Sequence, residues 1–223
     1  MHTLLPEETP TGSLLGRVQY WFACFFAIGW TGVVCGGLFH QFALWEHPCP
    51  LCIVQRMFML LAAMGAAYIV RTALAYGAVT SRDYMMGWGM SLVALIAGSF
   101  ASWRQTMLHI LPKDKGYGSE VLGLHLYVWA WLLFQASVVA IGIALSFGHS
   151  TTDSSVPAAR PGALRTAGLF VLGFLGAVIA VNLVAVFFEE GLHWFLPDAP
   201  NRYRFFYDVG ILERAAPTGA GHR

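Results

Sequence analysis

Charged side chains are scarce in this sequence. They make up 11% of its 223 residues, whereas a soluble domain carries about 25%. Hydrophobic residues make up 57%, and the mean hydropathy is +0.60. So few charges do not cover the surface of a soluble protein, and so apolar a chain is not disordered. The 13 Lys and Arg nearly balance the 12 Asp and Glu, which excludes a strongly basic nucleic-acid binder. The composition predicts a membrane protein.

Five apolar stretches are long enough to cross the hydrocarbon core of a bilayer, which requires about 20 helical residues. Apolar residues occur on all sides of each stretch, whereas the strands of a membrane barrel alternate apolar and polar residues. The sequence therefore predicts an all-α integral membrane protein with five transmembrane helices. These predicted helices cover residues 18–45, 50–70, 84–103, 121–147 and 165–188.

The segments outside these stretches differ in composition. Residues 1–17 carry two glutamates and only one arginine before a long apolar run, which does not fit a signal peptide. Residues 148–164 are rich in Ser, Thr, Pro and Ala, which predicts a flexible linker. Residues 189–223 mix charges with aromatic rings, as is typical of a segment at the membrane interface. Lys and Arg divide almost evenly between the two sides, so they do not set the orientation.

Two of the four cysteines stand close together. Cys49 and Cys52 enclose Pro50 and Leu51 at the predicted start of the second helix. Proline favours the first position of a helix, so both sulfur atoms would lie at the positive end of the helix dipole. A Cys-x-x-Cys pair at such a place is an arrangement that stabilises thiolates. The spacing also brings both side chains onto one face, which favours a redox-active dithiol.

Other interpretations of the four cysteines remain open at this point. The close pair could form a structural disulfide, remain two inert thiols, or supply half of a metal site with His40 or His47. A zinc site normally has four ligands in a recognisable spacing, which is not present here. Cys24 and Cys35 lie eleven residues apart on one predicted helix, about 16 Å along its axis. They are too far apart for a disulfide and are expected to be buried free thiols.

Arg56 lies four residues after Cys52, one helical turn deeper on the same face. A charge inside a membrane span is costly and indicates function. Its guanidinium could stabilise a Cys52 thiolate or polarise a carbonyl oxygen of a bound acceptor. Alternatively, it could extend to the nearby interface. Gln55, beside it, is a further polar candidate.

The run CPLCIVQR from Cys49 to Arg56, at the start of the second of at least four membrane helices, resembles the disulfide bond formation protein B family. A second run, WRQTML at 103–108, is similar to the stretch in which the family leaves its third helix. The resemblance covers residues 18–147. It implies a four-helix transmembrane bundle, to which this chain adds a fifth, C-terminal transmembrane helix.

Members of that family oxidise a periplasmic thiol oxidase of thioredoxin fold and pass the electrons to quinone. The resemblance implies a quinone-linked thiol-disulfide oxidoreductase of the bacterial inner membrane, with residues 1–17 cytoplasmic and the Cys49 loop and tail periplasmic. Cys52 would face the quinone, ubiquinone or menaquinone, and Cys49 would exchange disulfides with the thiol oxidase or another dithiol protein. Arg56 would help to hold the quinone, and Gln55 and Arg104 are further candidates for that site.

The chain departs from the family pattern in one respect. The family carries a second cysteine pair in the loop between helices three and four, and residues 105–120 contain no cysteine. Either Cys49 exchanges directly with a reduced partner, or another protein supplies the missing pair, or oxidase activity has been lost. The alternative hypothesis is a non-enzymatic membrane accessory subunit in which Cys49 and Cys52 are structural or bind copper, which favours soft thiolates.

Overall fold

The computed structural model describes residues 14–111, 116–146, 156–193, 195, 197 and 200–212. In that part of the chain, five helices are long and apolar enough to cross a membrane. The prediction of an all-α integral membrane protein, a four-helix bundle with a fifth helix, is confirmed. The helices are α1 (Leu14–Ala43), α2 (Pro50–Tyr76), α3 (Ser81–Leu108), α4 (Leu126–Ser146) and α5 (Ala163–Glu190).

Both ends of α2 follow from the local sequence. Cys49 caps the helix, because its sulfur accepts a hydrogen bond of 3.3 Å from the backbone N–H of Cys52. Pro50 occupies the first helical position, where its missing N–H leaves no bond unmade. Gly77 ends the helix in a left-handed conformation with φ of 69°, which glycine adopts without strain. The helix thus begins at the predicted residue and continues beyond the predicted residue 70.

Helix α2 is the centre of the bundle. It packs against α1, α3 and α5, and α3 packs in turn against α4. Gly65 of α2 allows a close approach, since a Cβ there would lie 2.5 Å from the carbonyl oxygen of Gly87 on α3. Between α1 and α4, the rings of Trp30 and Phe134 stack with centroids 4.7 Å apart. Because α5 packs on both α1 and α2, the fifth helix is an integral part of the bundle.

The first helix begins and ends earlier than predicted, and it starts at Leu14 rather than at residue 18. It ends at Ala43 rather than at residue 45. Trp45 has a φ of 56°, a left-handed value that interrupts a helix. The N–H groups of Leu44 and Glu46 both bond to the carbonyl oxygen of His40, at 3.1 and 3.2 Å, which closes the last turn. The chain then runs through residues 44–49 into α2.

The fourth helix also begins later than predicted, at Leu126 rather than at residue 121. Strands β1 (Glu120–Val121) and β2 (Leu124–His125) pair as a short antiparallel hairpin instead. Its two turn residues, Leu122 and Gly123, have φ values of 53° and 78°. Positive φ at both central residues is typical of a tight hairpin turn that matches the twist of its strands. The hairpin therefore takes residues that hydrophobicity alone assigned to α4.

The segment before α5 is attached to the bundle. Residues 148–155 of the predicted linker lie outside the described residues. Beyond them, the N–H of Val156 bonds to the carbonyl oxygen of Gly77 at 2.8 Å. Val156 and Ala158 are both buried, and one turn of 3-10 helix (Pro157–Ala159) leads towards α5. This segment therefore closes the end of α2 opposite to the cysteines.

The described part of the tail folds back onto the end of α5. It contains the short helix α6 (Phe205–Asp208). The rings of Phe205 and Phe206 each lie 5.2 Å from the ring of Phe188 on α5. The predicted N-terminal segment before residue 14 and the end of the tail after residue 212 lie outside the described residues. The tail therefore contributes a layer of aromatic side chains beside the cysteine end of the bundle.

Candidate functional site

The cysteine pair lies at the start of α2. The two sulfur atoms are 2.8 Å apart, and both cysteines are free thiols. Cys49 is buried, whereas Cys52 is half-buried. The hydrogen bond that Cys49 shares with Cys52, together with burial, raises the pKa of Cys49. Cys49 therefore holds its proton more tightly than an exposed thiol does.

A glutamine of α3 contacts both sulfur atoms. Gln105 is buried, and its Nε2 donates to Cys49 Sγ at 3.3 Å and to Cys52 Sγ at 3.4 Å. Gln55 of α2 donates to Gln105 Oε1 at 2.7 Å. Since an amide donates only through its nitrogen, this second bond holds the Gln105 nitrogen towards the sulfurs. Together the two glutamines provide a polar wall for the dithiol inside the bundle.

The predicted site residues Gln55, Arg56 and Arg104 differ in their burial. Gln55 and Arg56 lie at the dithiol end of α2 and are buried, whereas Arg104 is exposed. The role predicted for Arg104 in quinone binding remains a prediction. Sequence analysis missed its neighbour Gln105. The available signal was a polar residue within a span, three positions after the buried Ser102 and so on the same face of α3.

Arg56 is held between helices instead of being exposed at their surface. Its Nη1 donates to Gln41 Oε1 at 2.6 Å, and its Nη2 donates to the carbonyl oxygen of Gly37 at 2.8 Å. Gln41 in turn donates through Nε2 to Glu189 Oε2 at 2.8 Å. The side chain of Glu189 is fully buried. A continuous polar chain thus joins α2, α1 and α5 within the bundle.

Glu189 is a site residue that sequence analysis assigned to the tail. The structure includes it in the last turn of α5 and buries it. Its Oε1 lies 3.1 Å from His47 Nδ1, and the ring of His47 lies 4.9 Å from the ring of Tyr203 in the tail. Two adjacent glutamates close the last apolar stretch, Glu189 and Glu190. The sequence gives no sign of which one turns inward.

An apolar cavity of about 420 Å³ opens beside the dithiol. Cys52, Gln55 and Arg56 of α2 line one part of it, together with His47. Cys49 and Arg104 are not among its lining residues. The apolar part of the wall comes from α1, α2, α4 and the hairpin, including Val33, Met59, Leu122, Leu126 and Leu133. The cavity therefore joins one sulfur and one guanidinium to a largely hydrocarbon surface.

Residues 117–119, before the hairpin, are hydrogen-bonded to Glu46 and His47 at this end of the bundle. The Tyr117 hydroxyl donates to the carbonyl oxygen of His47 at 2.5 Å. The Ser119 hydroxyl donates to Glu46 Oε1, and the Ser119 N–H donates to Glu46 Oε2 at 3.4 Å. Burial opposes the ionisation of Glu46, but the bonds from Ser119 outweigh it and lower the pKa of Glu46. Burial also lowers the pKa of His47 and raises that of Tyr117.

Fold and site together define a membrane-spanning dithiol protein whose cysteine pair caps a helix and borders an apolar cavity. A family model described as "Disulfide bond formation protein DsbB" matches residues 19–120. "Disulfide bond formation protein B 2" of Burkholderia lata is 30% identical over 148 residues, which covers 56% of this chain and 88% of the relative. The chain belongs to the disulfide bond formation protein B family.

Two further relatives carry the same description, "Disulfide bond formation protein B". The protein of Chromobacterium violaceum is 33% identical over 111 residues, covering 48% of this chain and 60% of the relative. The protein of Polaromonas naphthalenivorans is 32% identical over 88 residues, covering 40% of this chain and 49% of the relative. No solved structure matches the chain. Helix α5 lies outside the range of the family model.

Proposed function

We propose that this protein is a quinone-linked thiol-disulfide oxidoreductase that oxidises a partner dithiol through Cys49 and Cys52. The observation that carries the proposal is that Cys52 and Arg56 line the same apolar cavity. A thiolate and a fixed cation beside a hydrocarbon surface suit a neutral, apolar molecule whose oxygens become negative on reduction. Membership of the disulfide bond formation family supports the same chemistry for the cysteine pair.

The residues around the cavity suit a quinone head group. The cavity volume of about 420 Å³ lies within the range of about 300–1,000 Å³ that is usual for small-molecule sites. Arg56, Gln55 and His47 carry N–H groups that can bind carbonyl oxygens, and the remaining walls are apolar. A quinone bound there would supply an acceptor for two electrons and two protons. Arg56 would orient it, and Cys52 would be the sulfur next to it.

The exchange with the partner takes place at Cys49. In the oxidised protein a partner thiolate attacks Cys49 Sγ, the Cys49–Cys52 bond breaks, and Cys52 leaves as a thiolate. A second partner thiolate then attacks the partner's sulfur in the mixed disulfide, and Cys49 leaves and takes up a proton. Gln105 and the helix N-terminus stabilise the departing Cys52. Since Cys49 is 6% exposed, this exchange requires local opening of the surface above it.

The site residues proposed here are therefore Cys49 and Cys52 as the redox pair, with Arg56 and Gln55 at the quinone. Because residues 105–120 contain no cysteine, Cys49 exchanges directly with the partner. The partner is a thiol oxidase of thioredoxin fold or another dithiol protein. We place Cys49 and the tail on the periplasmic side of a bacterial inner membrane, where disulfides persist, and the segment that precedes α1 in the cytoplasm.

Thiol trapping in native membranes tests the proposal. With Cys24 and Cys35 replaced, a mass-adding maleimide is applied while the quinone pool is held oxidised or fully reduced. We expect Cys49 and Cys52 to become alkylatable only when the pool is reduced. A redox state that ignores the pool would refute quinone coupling. It would favour the accessory-subunit hypothesis, for which copper titration of the reduced pair is the direct test.

A further inference from the structure

The fifth helix places an acid behind a residue of the cavity wall. Glu189 of α5 has a side chain with no exposed surface, and its Oε1 lies 3.1 Å from Nδ1 of His47, which is 10% exposed. His47 lines the cavity beside Cys52 and Arg56. A carboxyl group buried to this extent is retained only where it has partners. Here both of its oxygens are bonded, one to His47 and the other to Gln41.

His47 is fixed in place from three directions. Glu189 bonds its Nδ1, the ring of Tyr203 packs edge-on against it at 4.9 Å, and the Tyr117 hydroxyl holds its backbone carbonyl. With Nδ1 engaged by the carboxyl group, Nε2 is the ring nitrogen through which His47 exchanges protons. A carboxyl group behind an imidazole fixes the orientation and the tautomer of the ring, as in other proton-transferring pairs. The geometry is that of a preorganised proton carrier.

We propose that His47, positioned by Glu189, is the proton relay of the acceptor cavity. The inference rests on the proposed function and adds a role for the fifth helix, which lies outside the family match. Oxidation of two thiols to a disulfide releases two electrons and two protons, and reduction of a quinone to a quinol consumes both. His47 Nε2 takes up a proton that leaves the cysteine pair and passes it to an oxygen of the bound quinone. It carries the two protons one after the other and ends in its starting form.

A second histidine lines the same cavity and is less suited to this role. His40 lies 3.3 Å from Glu46, but the two side chains are 19% and 32% exposed. Solvent can exchange protons with that pair directly, whereas Glu189 is sealed from water. The His47 pair is also linked through Gln41 to Arg56, so the charge on one group influences the other. The titratable groups around His47 and Glu189 are Arg56, Tyr117, Tyr203, Cys49 and Cys52.

Single-turnover kinetics of the full-length protein in lipid nanodiscs test the proposal. The reduced protein is mixed with a short-chain ubiquinone, and disulfide formation is followed. We expect His47→Asn, which keeps a polar group facing Glu189, to slow this step about 100-fold, the usual scale of general acid–base catalysis. Quinone affinity, measured separately by equilibrium binding, should fall far less than the rate, because Asn keeps an N–H group on the cavity wall; an equal loss of both would indicate a binding role instead of a relay. In His47→Ala, added imidazole should restore part of the rate, which a purely structural role would not permit.

Glu189→Gln tests the positioning role with an almost isosteric change. We expect Glu189→Gln to slow disulfide formation less than His47→Asn does and to shift the pH–rate profile. Glu189→Asp, which keeps a carboxyl group, should recover the rate. His193→Asn is the matched control, because His193 pairs with Asp208 at 3.0 Å in the tail, away from the cavity. A full rate in His47→Asn would overturn the relay alone. A wild-type protein that reduces neither a short-chain ubiquinone nor a short-chain menaquinone would overturn both the relay and the proposed function.

A measurement without quinone provides an independent readout. Infrared difference spectra are recorded between the dithiol form and a chemically oxidised disulfide form. We expect a carboxyl band that changes with the state of the cysteines and is lost in Glu189→Gln, because protons leaving the thiols alter the His47–Glu189 pair. A spectrum in which Glu189→Gln changes nothing would contradict the relay. His193→Asn should leave this band in place.

Discussion

The side-chain amide of Gln105 donates a hydrogen bond of 3.4 Å to the sulfur of Cys52. This bond connects the end of α3 with the first turn of α2, and a second bond from the same nitrogen reaches Cys49. A donor in a buried environment stabilises a thiolate more than it stabilises a thiol. Gln105 is therefore expected to control how readily Cys52 ionises and leaves.

Replacement of the side-chain amide of Gln105 should make the Cys52 sulfur a weaker nucleophile. In Gln105→Leu, with Cys24 and Cys35 replaced, we expect the reduced pair to be alkylated about tenfold more slowly at neutral pH. A hydrogen bond to a charged group contributes about 1.5–3 kcal/mol, and the lower limit corresponds to that factor. Stopped-flow alkylation measures the rate. Gln135→Leu is the control, because Gln135 bonds to Ser99 instead of to a sulfur; equal rates in both variants would contradict the role of Gln105.

Two adjacent glycines of α1 provide a matched pair for Arg56. A Cβ at Gly37 would lie 2.9 Å from Arg56 Nε, whereas a Cβ at Gly36 would meet nothing within 4 Å. We expect Gly37→Ala to push the guanidinium away from Gln41 and to weaken quinone binding about tenfold. Gly36→Ala should bind as the wild type does. Equilibrium titration with a short-chain ubiquinone measures both, and identical affinities would show that Arg56 does not hold the quinone.

The two cysteines should differ in trapping experiments. Cys52→Ser leaves Cys49 without its resolving neighbour, so we expect a mixed disulfide with a partner protein to accumulate. Cys49→Ser leaves only the sulfur that lines the cavity, so that adduct should be absent. The adduct is measured by gel electrophoresis of samples prepared with and without reductant. Cys24→Ser is the control for the effect of replacing a cysteine outside the pair. Accumulation in Cys49→Ser instead would reverse the assignment of the exchanging sulfur.

Glu46 should make stability depend on acid pH. Its pKa is lowered in the folded protein, because the bonds from Ser119 outweigh the opposing effect of burial. A lowered carboxyl pKa stabilises the fold above the ordinary value of about 4.3. That stabilisation is lost as the pH falls through the lower folded value. We expect Glu46→Gln to have a lower Tm than the wild type at pH 7, and thermal unfolding from about pH 7 to pH 3 should show the two Tm values converging. A difference that persists unchanged at pH 3 would contradict this assignment.

Much of the dithiol site could be predicted from local sequence. Pro50 after Cys49 defines the helix start, and a four-residue step brings Arg56 onto the face of Cys52, because helix geometry is periodic. Gln105 and Glu189 could not be assigned in this way. Each contacts the site across a large separation in sequence, and helical periodicity does not determine which face meets a neighbouring helix. Arg104 and Glu190, their direct neighbours, were equally plausible before the packing was known.

The sequence by itself determined the class of protein, the five spans, the cysteine pair and the family motif. Composition is an average over the whole chain, and helix length and capping depend on residues that are neighbours in sequence. None of them requires knowledge of the packing. Only the tertiary structure decided that α5 joins α1 and α2, that Glu189 turns inward to His47 and Gln41, and that a hairpin replaces the start of α4. These features depend on how helices meet, since buried polar groups must find partners wherever packing places them.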